Sequence, residues 1–173
     1  QKVPTRKLLE DPYHFWYIGK SYFDSTLGDY PLGMDHIKEY ARRSIFYFAQ
    51  YLNFKHEYHI TGQSKGLDEL GYFAFYAMGD MYKLCGNYEK ALDCGMKAEE
   101  FAPSRNEHIV LQAECFKDLS DFDSMKVQTE RLMSPDRKLP FPEYNFLLNM
   151  EHYNDSGKYL SLIHISEPTR LER

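Results

Sequence analysis

The stretch FYAMGDMYKLCGNYEKALDCGMKAEEFAP, Phe75 to Pro103, decides the fold. Apolar and small residues recur in it every three or four positions, the period of a helix that buries one face. Gly86-Asn87-Tyr88 interrupts the pattern and divides it into two helices. Gly79 and Ala91 are small enough for the two helices to approach closely, and Met78 and Tyr82 fill the space beside them. Gly86 makes the turn and Pro103 stops the second helix.

The same order returns along the chain. Moving 34 residues forward from Phe75, Gly79, Tyr82 and Gly86 gives Ile109, Ala113, Phe116 and Ser120, followed by Phe122 and Met125. Here the turn and the second helix are written more weakly. Moving back, Trp16, Gly19 and Tyr22 precede the turn Gly28-Asp29-Tyr30 with a two-residue insertion, and Met34 to Leu52 reads as a long second helix. This pattern resembles the tetratricopeptide repeat, a helix pair with a period of about 34 residues. The expected fold is therefore all-α: a right-handed superhelical stack of tetratricopeptide-like helix pairs, an α-solenoid of about seven helices. Three pairs are followed by a terminal helix over about Glu143 to Asn154. His56 to Asp68, with Gly62 and Gly66, reads as a polar linker.

The two ends read differently. Residues 1–10 look like a lead-in from a missing upstream region, with no signal peptide or apolar anchor. Residues 11–159 form the repeat domain. The tail LSLIHISEPTRLER, 160–173, has no packing face; its residues 160–170 resemble the in-frame translation of a sequencing adapter, and the segment is expected to be an artefact.

Composition narrows the functional classes. The 173 residues carry a formal net charge of −5, and no basic stripe appears, which argues against nucleic acid as the main partner. No apolar run reaches the 18 or so residues of a membrane span, so a cytoplasmic location is expected. Cys85, Cys94 and Cys115 are odd in number and lack paired spacing, which fits small buried residues in a reduced compartment. Aromatic residues make up 16% of the chain, enough to build helix interfaces from interlocking rings.

No catalytic site, cofactor site or metal site is legible. Asp121-Phe122-Asp123 has the D-x-D form of a metal-binding glycosyltransferase motif, yet it falls at the inter-helix turn, where an Asp caps the next helix. His56 and His59 sit three apart without a third ligand and read as part of the linker. Asn154-Asp155-Ser156 has the form of a glycosylation sequon and reads as the turn after a helix. By the repeat register, the inner face of the stack is lined by Tyr13, Trp16, Lys20 and Phe23, then Phe73, Tyr76, Asp80 and Lys83, then Glu107, Val110, Glu114 and Lys117. Aromatic rungs of this kind suit a partner helix, a stacked sugar ring or a covering domain.

Four segments carry a narrower resemblance: YHFWYIGKSYFD (13–24), DELGYFAFYAMGDMY (68–82), PSRNEHIVLQAECF (103–116) and PFPEYNFLLNMEHY (140–153). In this order they resemble the helical repeat region that follows the catalytic domain of certain family 2 glycosyltransferases. The resemblance implies an upstream α/β nucleotide-sugar domain with a metal D-x-D, none of whose residues lies in this chain. It implies structural roles for Arg105 and Glu107, as an ion pair between helices. The expected function is thus a non-catalytic module that supports that catalytic domain or positions an acceptor, its partner being protein, with glycan contact secondary. The alternatives are a freestanding adaptor that binds a peptide or helix in its groove, and a regulatory repeat on an unrelated enzyme.

Overall fold

The computed structural model describes residues 13–28, 33–57, 69–134 and 137, with the side chains of 55–57 excepted. The expected terminal helix, the lead-in and the tail lie outside these residues, as do His59 and the Asn154 sequon. Among the described residues all regular structure is helical: α1 (Tyr13–Thr26), α2 (Met34–Glu57), α3 (Glu69–Leu84), α4 (Tyr88–Phe101), α5 (Glu107–Asp118) and α6 (Phe122–Leu132). Each helix packs on the next, and α3 also touches both α1 and α5.

Two turns show the 34-residue period in the backbone itself. After α3, Cys85 N–H donates to Met81 O, Gly86 N–H to Lys83 O and Asn87 N–H to Tyr82 O. After α5, Leu119, Ser120 and Asp121 make the same three bonds to Cys115, Lys117 and Phe116. These crossed bonds satisfy the carbonyls left over at a helix C-terminus. The side chain of Asn87 then accepts from Lys90 N at 3.3 Å, and that of Asp121 from Ser124 N at 3.2 Å, so each turn ends in a cap for the next helix. Asp121 is therefore the N-cap of α6, and its carboxyl lies below the ordinary range because the Ser124 hydroxyl and amide bond it. The second turn, which looked weaker in the sequence, has the geometry of the first. Its weakness is local: Ser120 adopts φ 57, the left-handed conformation that Gly86 adopts at φ 80. A Cβ carries a steric cost there that glycine avoids.

Close approach explains the small residues. A Cβ on Gly79 would lie 2.6 Å from Leu111 Cδ2 on α5, 3.1 Å from the Ala91 carbonyl and 3.1 Å from Cys94 Cβ, both on α4. Three helices thus meet over one missing side chain. Ala91 and Ala98 are fully buried along α4, and Ala113 along α5. Gly19 serves the same purpose between α1 and α2: a Cβ there would meet the Phe48 ring at 3.0 Å, and Ser44 Oγ donates to the Gly19 carbonyl at 2.8 Å. α4 ends at Phe101, where Ala102 is extended ahead of Pro103.

The second helix is longer than its sequence pattern suggested. α2 runs to Glu57 rather than stopping near Leu52, and His56 belongs to it rather than to a linker; residues 58–68 lie outside the described ones. Phe54 gives the reason, stacking on Phe15 of α1 with ring centroids 5.3 Å apart. It ends a ladder in which Tyr40, Tyr47 and Phe54 of α2, seven residues apart, interleave with Phe15 and Tyr22 of α1, also seven apart. A seven-residue spacing keeps side chains along one seam of a helix pair.

Gly79→Leu is expected to cost about 1–3 kcal/mol by overpacking, although leaving glycine favours the helix by roughly 1 kcal/mol; urea denaturation measures it. Ser120→Gly is expected to raise stability by about 1 kcal/mol in the same assay by relieving the left-handed residue.

Candidate functional site

The expected groove residues divide between core and interface. Trp16 belongs to the core: it is 8% exposed, packs on Phe48 and Phe73, and donates from Nε1 to the Leu70 carbonyl at 3.0 Å. That bond ties α1 to the start of α3. Phe23 is buried with it, and Phe73 meets both rings at 5.4 and 5.5 Å. Trp16 and Phe23 are therefore turned into the packing between α1, α2 and α3, and Phe73 is half-buried against them. The helical period finds a face but cannot tell which neighbour covers it. Tyr13 is half-buried beside Tyr51, and Tyr76 is half-buried in parallel contact with Tyr72. Lys20 binds Asp24 at 2.6 Å with its ammonium 6.0 Å from the Phe73 ring centre. Tyr22 lies in the ring ladder with the Arg43 guanidinium over it, and Tyr82 is covered by Lys90.

Part of the charged end of the expected groove is also internal. Asp80 is 2% exposed and Glu114 3%. Between them lies the Lys83 ammonium, paired with Glu114 across the α3–α5 interface and 3.9 Å from Asp80. The register placed Asp80 and Lys83 on one rung and Glu114 on the next, and the structure brings the three together. Val110 is buried in the α5–α6 core, and Lys117 is half-buried in the last turn of α5.

Arg105 and Glu107 form a local pair rather than one between helices. Arg105 Nη2 meets Glu107 Oε1 at 2.7 Å, and Glu107 Oε2 accepts from the Asn106 amide at 3.2 Å at the start of α5. The contact between helices comes from Tyr72 of α3, whose hydroxyl donates to Glu107 Oε2 at 3.1 Å. Burial pushes the Glu107 carboxyl up, but the bonds from Arg105, the backbone and Tyr72 outweigh it and hold the group below its ordinary value. Burial and the neighbouring Glu107 push the Tyr72 phenol well up, so it remains a donor.

One cluster escaped the sequence reading. His108 is fully buried on α5, with Nδ1 3.1 Å from the Tyr72 hydroxyl and its amide donating to the same oxygen at 3.2 Å. Its Nε2 lies 3.8 Å from Glu99 Oε1 on α4, and Arg131 of α6 pairs with that carboxylate. Arg137 donates to the Arg105 carbonyl and the Asn106 side chain close by. The only available signal was a polar residue at a core position of the helical period, directly after Glu107.

Among the described residues no group of His, Cys, Asp and Glu is placed to hold a metal, and no helix is long and apolar enough to cross a membrane. Cys94 and Cys115 are buried, and burial raises both thiols to about 12; Cys85 is half-buried rather than buried. Comparison with protein-family profiles, curated proteins and solved structures finds no significant match. The described residues thus present buried interfaces, whose charged members hold α3, α4, α5 and α6 in register.

Glu114→Ala is expected to lower unfolding free energy by about 1–3 kcal/mol, because it removes a charged hydrogen-bond partner from the largely buried Lys83 while Asp80 remains. The denaturant midpoint reads this directly. A loss under 1 kcal/mol would mean that water reaches the pair.

Proposed function

We propose that this chain is a non-catalytic helical repeat module, a right-handed stack of tetratricopeptide-like pairs serving the catalytic domain of a glycosyltransferase. The observation that carries the stack is the recurrence of the same turn bonds and the same cap 34 residues apart, at Gly86-Asn87 and Ser120-Asp121. In such a stack the first helices of successive pairs touch, as α1, α3 and α5 do in order. The link to a glycosyltransferase rests on the four segments quoted above. A supporting role suits a chain whose charged residues hold helices together, and it makes the partner a protein domain in the cytoplasm.

The freestanding adaptor is the second reading. Its expected docking surface is reduced where Trp16 and Phe23 pack inside, while Tyr13, Phe73 and Tyr76 are half-buried. Long-read sequencing of the source nucleic acid across both ends of the frame separates the two. An upstream α/β domain with a D-x-D, and loss of the adapter-like residues downstream, is the expected result. A start codon shortly before Gln1 would overturn it in favour of the adaptor.

A further inference from the structure

We propose that His108 is a proton-operated latch at the junction of α3, α4, α5 and α6, which when charged draws Glu99 away from Arg131 and loosens α6. The groups facing it come from every element packed there. Tyr72 of α3 sits at Nδ1, Glu99 of α4 at Nε2, Glu107 beside it on α5, Arg131 on α6 and Arg137 beyond α6.

Bonding partners assign the tautomer. A carboxylate accepts only, so the Tyr72 O–H donates to Glu107, and the Tyr72 oxygen accepts from the His108 ring and amide. Neutral His108 therefore carries its proton on Nδ1. Nε2 is left as a bare acceptor, fully buried and without a hydrogen-bond partner, 3.8 Å from a carboxylate that has nothing to donate. A second proton has one place to go, that nitrogen, which lies 3.8 Å from Glu99 Oε1. A closure of about 1 Å would then make a charge-assisted bond. Glu99 Oε1 is the same atom that Arg131 Nη2 holds, so the imidazolium and the guanidinium compete for it. Two cations on one carboxylate repel each other, and the Arg131 side chain, about a third exposed, is the one free to turn to water.

Burial, together with Arg131 and Arg137, holds His108 down to about 4 against the pull of Glu99 and Glu107. An unfolded histidine takes up its proton near pH 6.5. The folded state therefore binds fewer protons across this interval, and stability present above about pH 6.5 is lost as pH falls toward 4. Glu107, held below its ordinary value, adds its own loss at lower pH. The latch is separate from the functional reading above and holds for an adaptor as well.

The test uses the whole chain. Histidine ring signals are followed by NMR from pH 7.5 to 4, His108 being identified by its loss in His108→Gln, and amide exchange in α6 is followed over the same range after correction for intrinsic rates. The expected result is that His108 titrates well below 6.5 and that α6 amides gain at least tenfold in opening with the same midpoint, while α4 amides do not. In His108→Gln the α6 response disappears. Arg131→Gln, which removes the competitor, is expected to raise the His108 midpoint and abolish the step in α6. Titration of His108 near 6.5, or an α6 step that survives in His108→Gln, would overturn the proposal. If His108→Gln does not fold, Arg131→Gln alone decides: an unchanged α6 step overturns it.

Discussion

Three helices meet where Gly79 has no side chain, and the rest of the structure is arranged around that approach. The atoms nearest to a Cβ there come from both α4 and α5, so the position fixes the pair α3–α4 and the contact of α3 with the following pair at once. Packing of this density leaves no slack, since a core cannot absorb even one methylene without displacement. The turn at Gly86 then follows from geometry: a chain that leaves α3 must reverse within three residues to place Ala91 against Gly79, and crossed C-terminal bonds with a left-handed residue achieve that reversal.

Buried polar groups add a second constraint, on register rather than on distance. Lys83 with Glu114, and Tyr72 with Glu107 and His108, bridge α3 and α5 at two levels about three turns apart along α3. Such groups contribute little net stability when satisfied, but each is costly when it loses its partner. A slip of α5 by one residue would strand several of them together. Apolar contacts are less directional, so a slip that keeps the packed volume is penalised by shape alone, whereas a stranded polar group adds its own cost.

How much of this was legible in the sequence depended on whether one helix or two set the outcome. Ala91, Gly86 and Pro103 are governed by the geometry of a single pair, and their roles could be read from spacing, as could the approach of Gly79 to α4 but not its contact with Leu111 of α5. The extent of α2 could not: its last turns are held by Phe54 against Phe15, a contact 39 positions away in the chain. The helical period put Trp16, Phe23 and Phe73 on a common face, but which neighbour covers that face depends on how the helices assemble. The ion cluster failed for a related reason, since period assigns Asp80, Lys83 and Glu114 to faces and leaves open whether charge faces water or another charge. His108 was the least legible, because its surroundings come from four helices.

Trp16 is the sole tryptophan of the chain, and it lies where α1, α2 and α3 meet. Indole emission responds to the polarity around the ring, so selective excitation lights up one half of the helix assembly. The far half, with the core of Ile109, Met125 and Leu132, carries no indole. Fluorescence and backbone ellipticity would consequently part company if the two halves melt separately, and the protein carries within itself a label for deciding whether neighbouring pairs unfold as one unit.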